Sequence, residues 1–398
     1  MNRELPSVCR ACGAAPVAIF HDVRGIPVQS VLLFPTREEA LGMPKGNLVL
    51  GFCPACGFIG NQDFDPSLLE YSSRYEETQS FSTTFTAFHT DLARRLIDRF
   101  HLREKMILEI GCGKGEFLTL LCELGNNRGI GFDPGYDETR TVSPAKERMT
   151  FLKDFYSERY AHVQADFVCC KMTLEHIAAP FDFLLMIRRA LGERRETTVF
   201  FQVPEVTRIF REGAFWDLYY EHCCYFSAVA LENLFRRAGF GVRNVWTEYD
   251  DQYLMIEAYP DAGGDAIRPE GVRARILEVR EAVNRFAKEV GEANRKWGAF
   301  VRSCVNQGKR MVIWGAGSKG VGFLTSLNVT EEIPYAVDVN PHKYGTFLAG
   351  TGQHIVAPEF LTTYKPDIVF IMNPIYRAEI AATLTSLGVV AELIPLGE

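Results

Sequence analysis

Met106-Ile-Leu-Glu-Ile-Gly-Cys-Gly-Lys-Gly115 reads as a short buried strand that runs directly into a glycine-rich turn. Its apolar residues cluster without helical spacing, three glycines alternate at 111, 113 and 115, and helical periodicity resumes from Glu116 to Leu124. Strand, glycine loop and helix in that order open a parallel α/β sheet, so the loop marks a ligand site at the carboxyl end of a strand. Outward from this segment the alternation continues. Strands are expected at Gly129–Phe132, Phe167–Cys170 and Thr197–Val203, with a helix over Phe181–Leu191. A further helix is expected over Leu231–Phe240, then strands near Val242–Trp246 and Tyr253–Glu257. Together these predict one doubly wound domain with helices on both faces of a mostly parallel sheet.

The spacing of the loop limits its ligand. Gly111, Gly113 and Gly115 form GxGxG behind an acidic Glu109, whereas a dinucleotide fingerprint is GxGxxG. Glycines let the backbone approach a ligand, and the start of the next helix offers unpaired N–H groups to a carboxylate. Asp133 ends the second strand, where ribose hydroxyls would lie, and Lys153-Asp154-Phe155 supplies a candidate adenine contact. Glu109, Asp133 and Asp154 in this order favour S-adenosylmethionine as the cofactor and a class I methyltransferase sheet as the fold. Glu175-His176, after the fourth strand, is read either as close to the cofactor or as a structural hydrogen-bonding pair.

Upstream, Cys9-Arg-Ala-Cys12-Gly and Cys53-Pro-Ala-Cys56-Gly repeat one knuckle in which two thiolates can face one ion. Four sulfurs suit tetrahedral Zn2+, and a site closed by four protein ligands is structural rather than catalytic. The remaining cysteines lack such spacing and read as buried thiols. Residues 1–67 are thus expected to form a small zinc-binding module with little core of its own. From about Leu68 to Phe100 a helical pattern leads into residues 68–260, the cofactor-binding domain.

Residues 261–307 are read as a connecting long helix. Val272, Ile276, Val279, Val283 and Phe286 begin a four-three alternation that continues to Cys304, a seam that fits either packing on the chain's own domains or a coiled-coil dimer. The oligomeric expectation is accordingly a monomer or a homodimer. Residues 308–398 form a second Rossmann-like α/β domain, with strands at Met311–Trp314, Tyr335–Val339 and Ile368–Met372 and a helix over Arg377–Leu387. Its loop carries Gly315, Gly317, Ser318, Lys319 and Gly320, and Asp338 follows eighteen residues after Gly320, which satisfies the dinucleotide fingerprint. This loop therefore binds either NAD or part of a substrate.

Composition narrows the partners. A chain of 398 residues with 47% hydrophobic and 23% charged residues is ordinary globular material, long enough for two or three domains. The net charge of −7 leaves no basic footprint for nucleic acid. No apolar run approaches the roughly 18 residues of a membrane span and no secretory signal opens the chain, so a cytoplasmic protein without membrane partners is expected.

The succession of cysteine knuckles, GxGxG domain and carboxyl-terminal α/β domain resembles the sugar C-methyltransferases that act on nucleotide-linked 4-keto-deoxysugars. The resemblance spans nearly the whole chain. It is carried by the cysteine pairs with Gln62 soon after, by Glu109 to Gly115, by Tyr219-Tyr-Glu-His-Cys-Cys-Tyr-Phe-Ser227, and by Gly315 to Gly320 with Asp338 to Lys343. It implies that Tyr219, Glu221 and His222 lie at the active site, with His222 as general base and Tyr219 or Glu221 steadying the base or an enolate. It further implies that the Gly315 loop holds a nucleotide-linked sugar. The chain departs from the family at Tyr75-Glu-Glu-Thr-Gln-Ser-Phe-Ser82, at Asp251 to Met255 and at Asn373 to Tyr376, which leaves the sugar and its nucleotide open. Rival readings are an O- or N-methyltransferase of another small molecule, a methyltransferase fused to an NAD-binding oxidoreductase-like domain, and a non-catalytic zinc-bearing scaffold.

Overall fold

The computed structural model describes residues 8–72, 74–261 and 269–397. The strand opened by Met106 lies inside a seven-stranded sheet, third from one edge, between Phe167–Lys171 and Arg128–Phe132. Beyond Arg128–Phe132 the sheet ends in Met149–Leu152; beyond Phe167–Lys171 come Thr198–Pro204, Tyr253–Pro260 and Phe240–Glu248. Tyr253–Pro260 is antiparallel to both neighbours and the other pairs are parallel. Ile107, Phe167, Phe200 and Phe201 are fully buried, as expected of strands covered on both faces. Strand order reverses beside Met106–Ile110, and a crevice opens at that switch point. This is the class I methyltransferase sheet.

The second α/β unit is a five-stranded, all-parallel sheet in the order His354–Val356, Tyr335–Val337, Met311–Trp314, Ile368–Ile371, Glu392–Pro395. Its first helix, Ser318–Leu327, sits tightly on the turn Phe215–Asp217. A Cβ on Gly322 would lie 2.6 Å from the Trp216 carbonyl oxygen, so only glycine permits this approach. The contact sets the two glycine loops opposite one another.

Three expectations need correction. The amino-terminal unit has a real core: Leu48, Val49, Leu50, Phe52, Phe58 and Ile59 are buried. The cause is that its antiparallel strands Ala18–Pro27, Lys45–Phe52 and Ile59–Asn61 are extended by Cys224–Tyr225 from the middle of the chain, so sheet and core are shared. The helix expected from Leu68 begins only at Thr83, because Ser82 caps it by accepting from the Phe85 N–H, and residues 74–82 run as an extended strap. The helix expected from Leu231 starts at Ala228 behind its cap Ser227 and ends at Arg237, before Gly239 at φ +85°. The long helix spans Pro269–Asn306 and lies on Val206–Glu212, Ala228–Arg237, Ser318–Leu327 and Ala18–Pro27. Ile276, Val279, Val283, Phe286, Val301 and Cys304 are buried there, so much of the seam packs on the chain itself, while Phe300 stays 36% exposed. Among the described residues no helix is long and apolar enough to cross a membrane.

Candidate active site

Both glycine loops open into one cavity of about 650 Å³. Its walls come from the loop at Gly111–Gly113, the end of the Phe167–Lys171 strand, the strap, Tyr219 and His222, and the carboxyl-terminal unit from Gly315 to Lys319.

On the first loop, Gly111, Gly113 and Gly115 have φ values of +68°, +54° and +80°, which disfavour any side chain. A Cβ on Gly111 would meet Thr173 Oγ1 at 2.0 Å, and one on Gly115 would meet Phe151 at 2.6 Å. Gly115 caps the helix Glu116–Gly125 without a side-chain bond, so that, apart from the Leu118 N–H facing Glu109, its first turn can offer N–H groups to a ligand. Asp133 lines the cavity, but each of its oxygens already accepts a backbone N–H, from Gly113 at 3.0 Å and from Gly135 at 2.7 Å. It therefore shapes the loop with one lone pair of each oxygen and keeps the other available. Glu109 lies deeper, 2% exposed, and burial pushes its carboxyl up to about 8 despite the Lys171 ammonium nearby. Its Oε2 is buried with no hydrogen-bond partner among the described residues. Asp154 reaches the cavity rim bound to Tyr160 and paired with Arg159, and Phe155, 60% exposed, stands beside it with its edge to Tyr71 at 6.0 Å.

Facing this loop, His222 is buried against Tyr219 and His176, with ring centroids 4.9 and 4.8 Å away. Burial first, then the neighbouring His176, holds its pKa well below the ordinary imidazole value, so the ring is neutral at pH 7. Glu175 completes the group: its carboxylate and the ring nitrogens of His176 and His222 lie within 4.8 Å of one another, and both carboxyl oxygens are buried without a hydrogen-bond partner among the described residues. Burial pushes Glu175 up to about 8. Tyr219 donates to Asp217 at 2.8 Å and lines the cavity.

Glu221, by contrast, does not line the cavity. It turns behind it, into a second, 330 Å³ space, and accepts from the Ser30 N–H at 3.0 Å, the Ser30 hydroxyl and the Tyr75 hydroxyl at 2.7 Å. Of the three residues expected at the active site, Glu221 is thus set apart from the cavity wall, with each oxygen engaged by donors from two other parts of the chain.

The second loop contributes Gly315, Gly317, Ser318 and Lys319 to the wall, with Gly317 open enough that an added Cβ would meet nothing within 4 Å. Gly320 has a packing role instead, since a Cβ there would lie 2.8 Å from the Gly315 carbonyl oxygen. Ser318 donates or accepts with Ser30 at 2.7 Å. Lys319 binds Asp217 at 2.9 Å and Gln252 at 3.1 Å. Asp217 is shared with Arg208, and although burial raises it, Lys319 and Arg208 hold its carboxyl down to about 2. Arg208 also pairs with Glu212 at 2.7 Å, so two cations and two carboxylates balance beside the loop. Asp338, the fingerprint acid, is engaged by the Ala316 and Asn340 N–H groups and by the Lys343 ammonium at 3.1 Å.

Sequence reasoning missed the strap 74–82. Glu76 pairs with Arg140 and Asn340, Gln79 accepts from Tyr376 at 2.8 Å, and Ser82 donates to Glu379 at 2.8 Å. Its backbone meets Val31 and Leu33 of the amino-terminal unit. The signal was Tyr75-Glu-Glu-Thr-Gln-Ser, too polar for a buried helix face, and Ser82 as a cap.

The four knuckle cysteines converge outside the cavity wall, all sulfurs within 4.8 Å of one another. Cys9 and Cys56 sulfurs are 3.7 Å apart, and Cys12 and Cys53 sulfurs 3.6 Å. The other seven cysteines are free and buried, as expected.

Comparison with known proteins agrees with this architecture. Residues 85–245 match the family described as a methyltransferase domain, and residues 271–389 match the C-methyltransferase C-terminal domain. The C-methyltransferase NovU of Streptomyces niveus is 24% identical over 387 residues, which are 94% of this chain and 90% of that protein. Among solved structures, the PH0226 protein of Pyrococcus horikoshii OT3 aligns over 48% of this chain and 100% of its own at 14% identity and a TM-score of 0.36. The magnesium protoporphyrin IX methyltransferase of Synechocystis PCC 6803 aligns over 45% of this chain and 84% of its own, at 14% identity and a TM-score of 0.33. The matched domains, the GxGxG loop at a sheet switch point and the open helix end behind it fit one cofactor: the chain is an S-adenosylmethionine-dependent methyltransferase.

Proposed function

We propose that the enzyme methylates a carbon next to a ketone on a nucleotide-linked deoxysugar, with His222 as the base. The observation that carries this reading is that the cofactor loop and the Gly315 loop share a single cavity with His222 in its wall. When bound, S-adenosylmethionine supplies an electrophilic methyl group. Gly111, Gly113, the helix end at Glu116, Asp133 and Phe155 would hold it. A carbon beside a ketone becomes nucleophilic only after losing a proton, and the neutral imidazole of His222 is able to accept one. Tyr219, fixed by Asp217, orients the ring from one side and His176 from the other. A nucleotide diphosphate is matched by the open backbone at Gly317 and by the neighbouring Lys319 ammonium in the cavity wall. A hydride-transferring dinucleotide is a poorer match, because Asp338 accepts three donors, the Lys343 ammonium among them, where Asp133 accepts two, so less of its carboxylate is open to a ribose.

The four cysteines support a structural Zn2+ held by Cys9, Cys12, Cys53 and Cys56. Zinc–sulfur bonds of about 2.3 Å in a tetrahedron put sulfurs about 3.8 Å apart, close to the observed spacings. No ligand position remains for substrate.

The test is mass spectrometry of nucleotide-linked keto sugars, matched non-sugar ketones and phenols after incubation with S-adenosylmethionine. A gain of one methyl on carbon of a keto sugar supports the reading. Gain only on phenols, or on the heteroatoms of the sugars, sinks it.

A further inference from the structure

Glu77 is a carboxylate for which neither the fold nor the proposed chemistry has a use. It lies on the strap, lines the cavity and projects onto the cofactor loop: Oε1 is 2.5 Å from where a Cβ on Gly113 would stand. Oε2 is buried and has no hydrogen-bond donor among the described residues, with Lys114 Nζ at 3.8 Å, beyond hydrogen-bond reach. Lys114 itself is committed to the carbonyl oxygens of Tyr75 and Gly135, each at 2.9 Å. The other acids near the loop are placed otherwise. Asp133 accepts the Gly113 and Gly135 N–H groups, Glu116 accepts from Thr78, and Glu109 lies beneath the loop beside Lys171.

A methionine moiety brings two opposite charges to one end of the ligand. Backbone N–H groups at the start of the Glu116–Gly125 helix suit its carboxylate but offer nothing to its ammonium. We infer that Glu77 receives the α-ammonium group of the cofactor, its carboxylate lying over Gly113 where a larger residue would exclude it. The inference rests on the Gly111–Gly115 loop being the cofactor's seat. Desolvation in the cavity, moderated by Lys114 and reinforced by Asp133, pushes the carboxyl up to about 7, although the side chain stays 35% exposed. The strap then does more than connect: because Glu76, Gln79 and Ser82 tie it to the carboxyl-terminal unit, the cofactor's charged end is sensed by the same segment that touches the acceptor side.

The test is isothermal titration of the full-length protein and its Glu77→Gln variant with S-adenosylmethionine and with 5′-methylthioadenosine, which lacks the amino-acid end. One charge-assisted bond predicts a roughly 10- to 150-fold weaker Kd for S-adenosylmethionine in Glu77→Gln, with the methylthioadenosine Kd unchanged within about twofold. Glu77→Asp should recover part of the loss. Equal weakening of both ligands would mean that Glu77 only supports the loop, and unchanged or tighter S-adenosylmethionine binding would mean that it meets no ammonium; either overturns the inference. Wild-type protein that binds neither ligand would instead overturn the assignment of the loop.

Discussion

Replacing Glu221 should injure stability far more than chemistry. The carboxylate is 1% exposed and accepts the Ser30 N–H, the Ser30 hydroxyl and the Tyr75 hydroxyl, joining the amino-terminal unit and the strap to the loop that carries His222. In Glu221→Ala the Ser30 hydroxyl keeps Ser318 as a partner at 2.7 Å, but the Ser30 N–H and the Tyr75 hydroxyl lose theirs. Two donors left without an acceptor cost about 1–3 kcal/mol each, so about 2–6 kcal/mol in all. Glu221→Gln keeps an oxygen for Ser30 and turns an amide toward Tyr75, whose hydroxyl can accept; it should cost about 1–2 kcal/mol. Thermal unfolding should place the variants in the order wild type, Gln, Ala. Single-turnover methyl transfer by the Gln variant, measured well below its melting temperature, should fall by less than about tenfold, whereas loss of a general base removes roughly 10²–10⁴. A Gln variant that melts like wild type yet loses activity on that larger scale would refute the argument and return Glu221 to the chemistry.

The proposed base has a pH signature. If His222 acts as the base, it acts unprotonated, and because its pKa is held well below the ordinary value, kcat/KM should rise through a limb lying below pH 6.5 and stay flat through neutrality; a limb centred above pH 7 would contradict this. His222→Ala should lose about 10²–10⁴ in transfer while calorimetry finds the same affinity for S-adenosylmethionine. Elemental analysis should find one zinc per chain in the wild type and none in Cys53→Ser, with a lower melting temperature; a full zinc content in the variant would dismiss the four-cysteine site. Glu175 has a folded pKa of about 8 against an ordinary 4.5, so the folded state binds more protons than the unfolded one between those values and stability contributed by this group falls as pH rises across them. Glu175→Gln should therefore gain on wild type by roughly 5–10 °C in melting temperature between pH 4.5 and 8, and a constant gap would show that the carboxyl titrates normally.

What could be read from sequence was local. Strand, glycine loop and helix at Met106–Gly125 are set by contiguous residues, and the four-three seam from Ile276 to Cys304 marks a buried helix face without saying what covers it. The knuckles were legible for the same reason, since spacing and flanking glycines lie within a few residues. Glu221 was not. Its type and its neighbour His222 suggested chemistry, but its direction is decided by Ser30 and Tyr75, which are 191 and 146 residues away. The core of the amino-terminal unit was hidden likewise, because the strand that completes its sheet is the two-residue Cys224–Tyr225.

The strap shows why such distant partners belong to function and not only to folding. Residues 74–82 have no regular structure to hold them, so their position is the sum of bonds to three separate units: Val31 and Leu33, Glu116 and Arg140, and Asn340, Tyr376 and Glu379. Lone polar bonds of this kind contribute about 0.5–1.5 kcal/mol each, and several acting on one short segment are needed to offset its loss of backbone freedom. Undocking the carboxyl-terminal unit removes three of these anchors together. The wall that faces the cofactor loop therefore stands only while the unit bearing Gly317 and Lys319 is in place, and the amino-terminal sheet, through Ser30 and Glu221, fixes the loop bearing His222 in the same assembly.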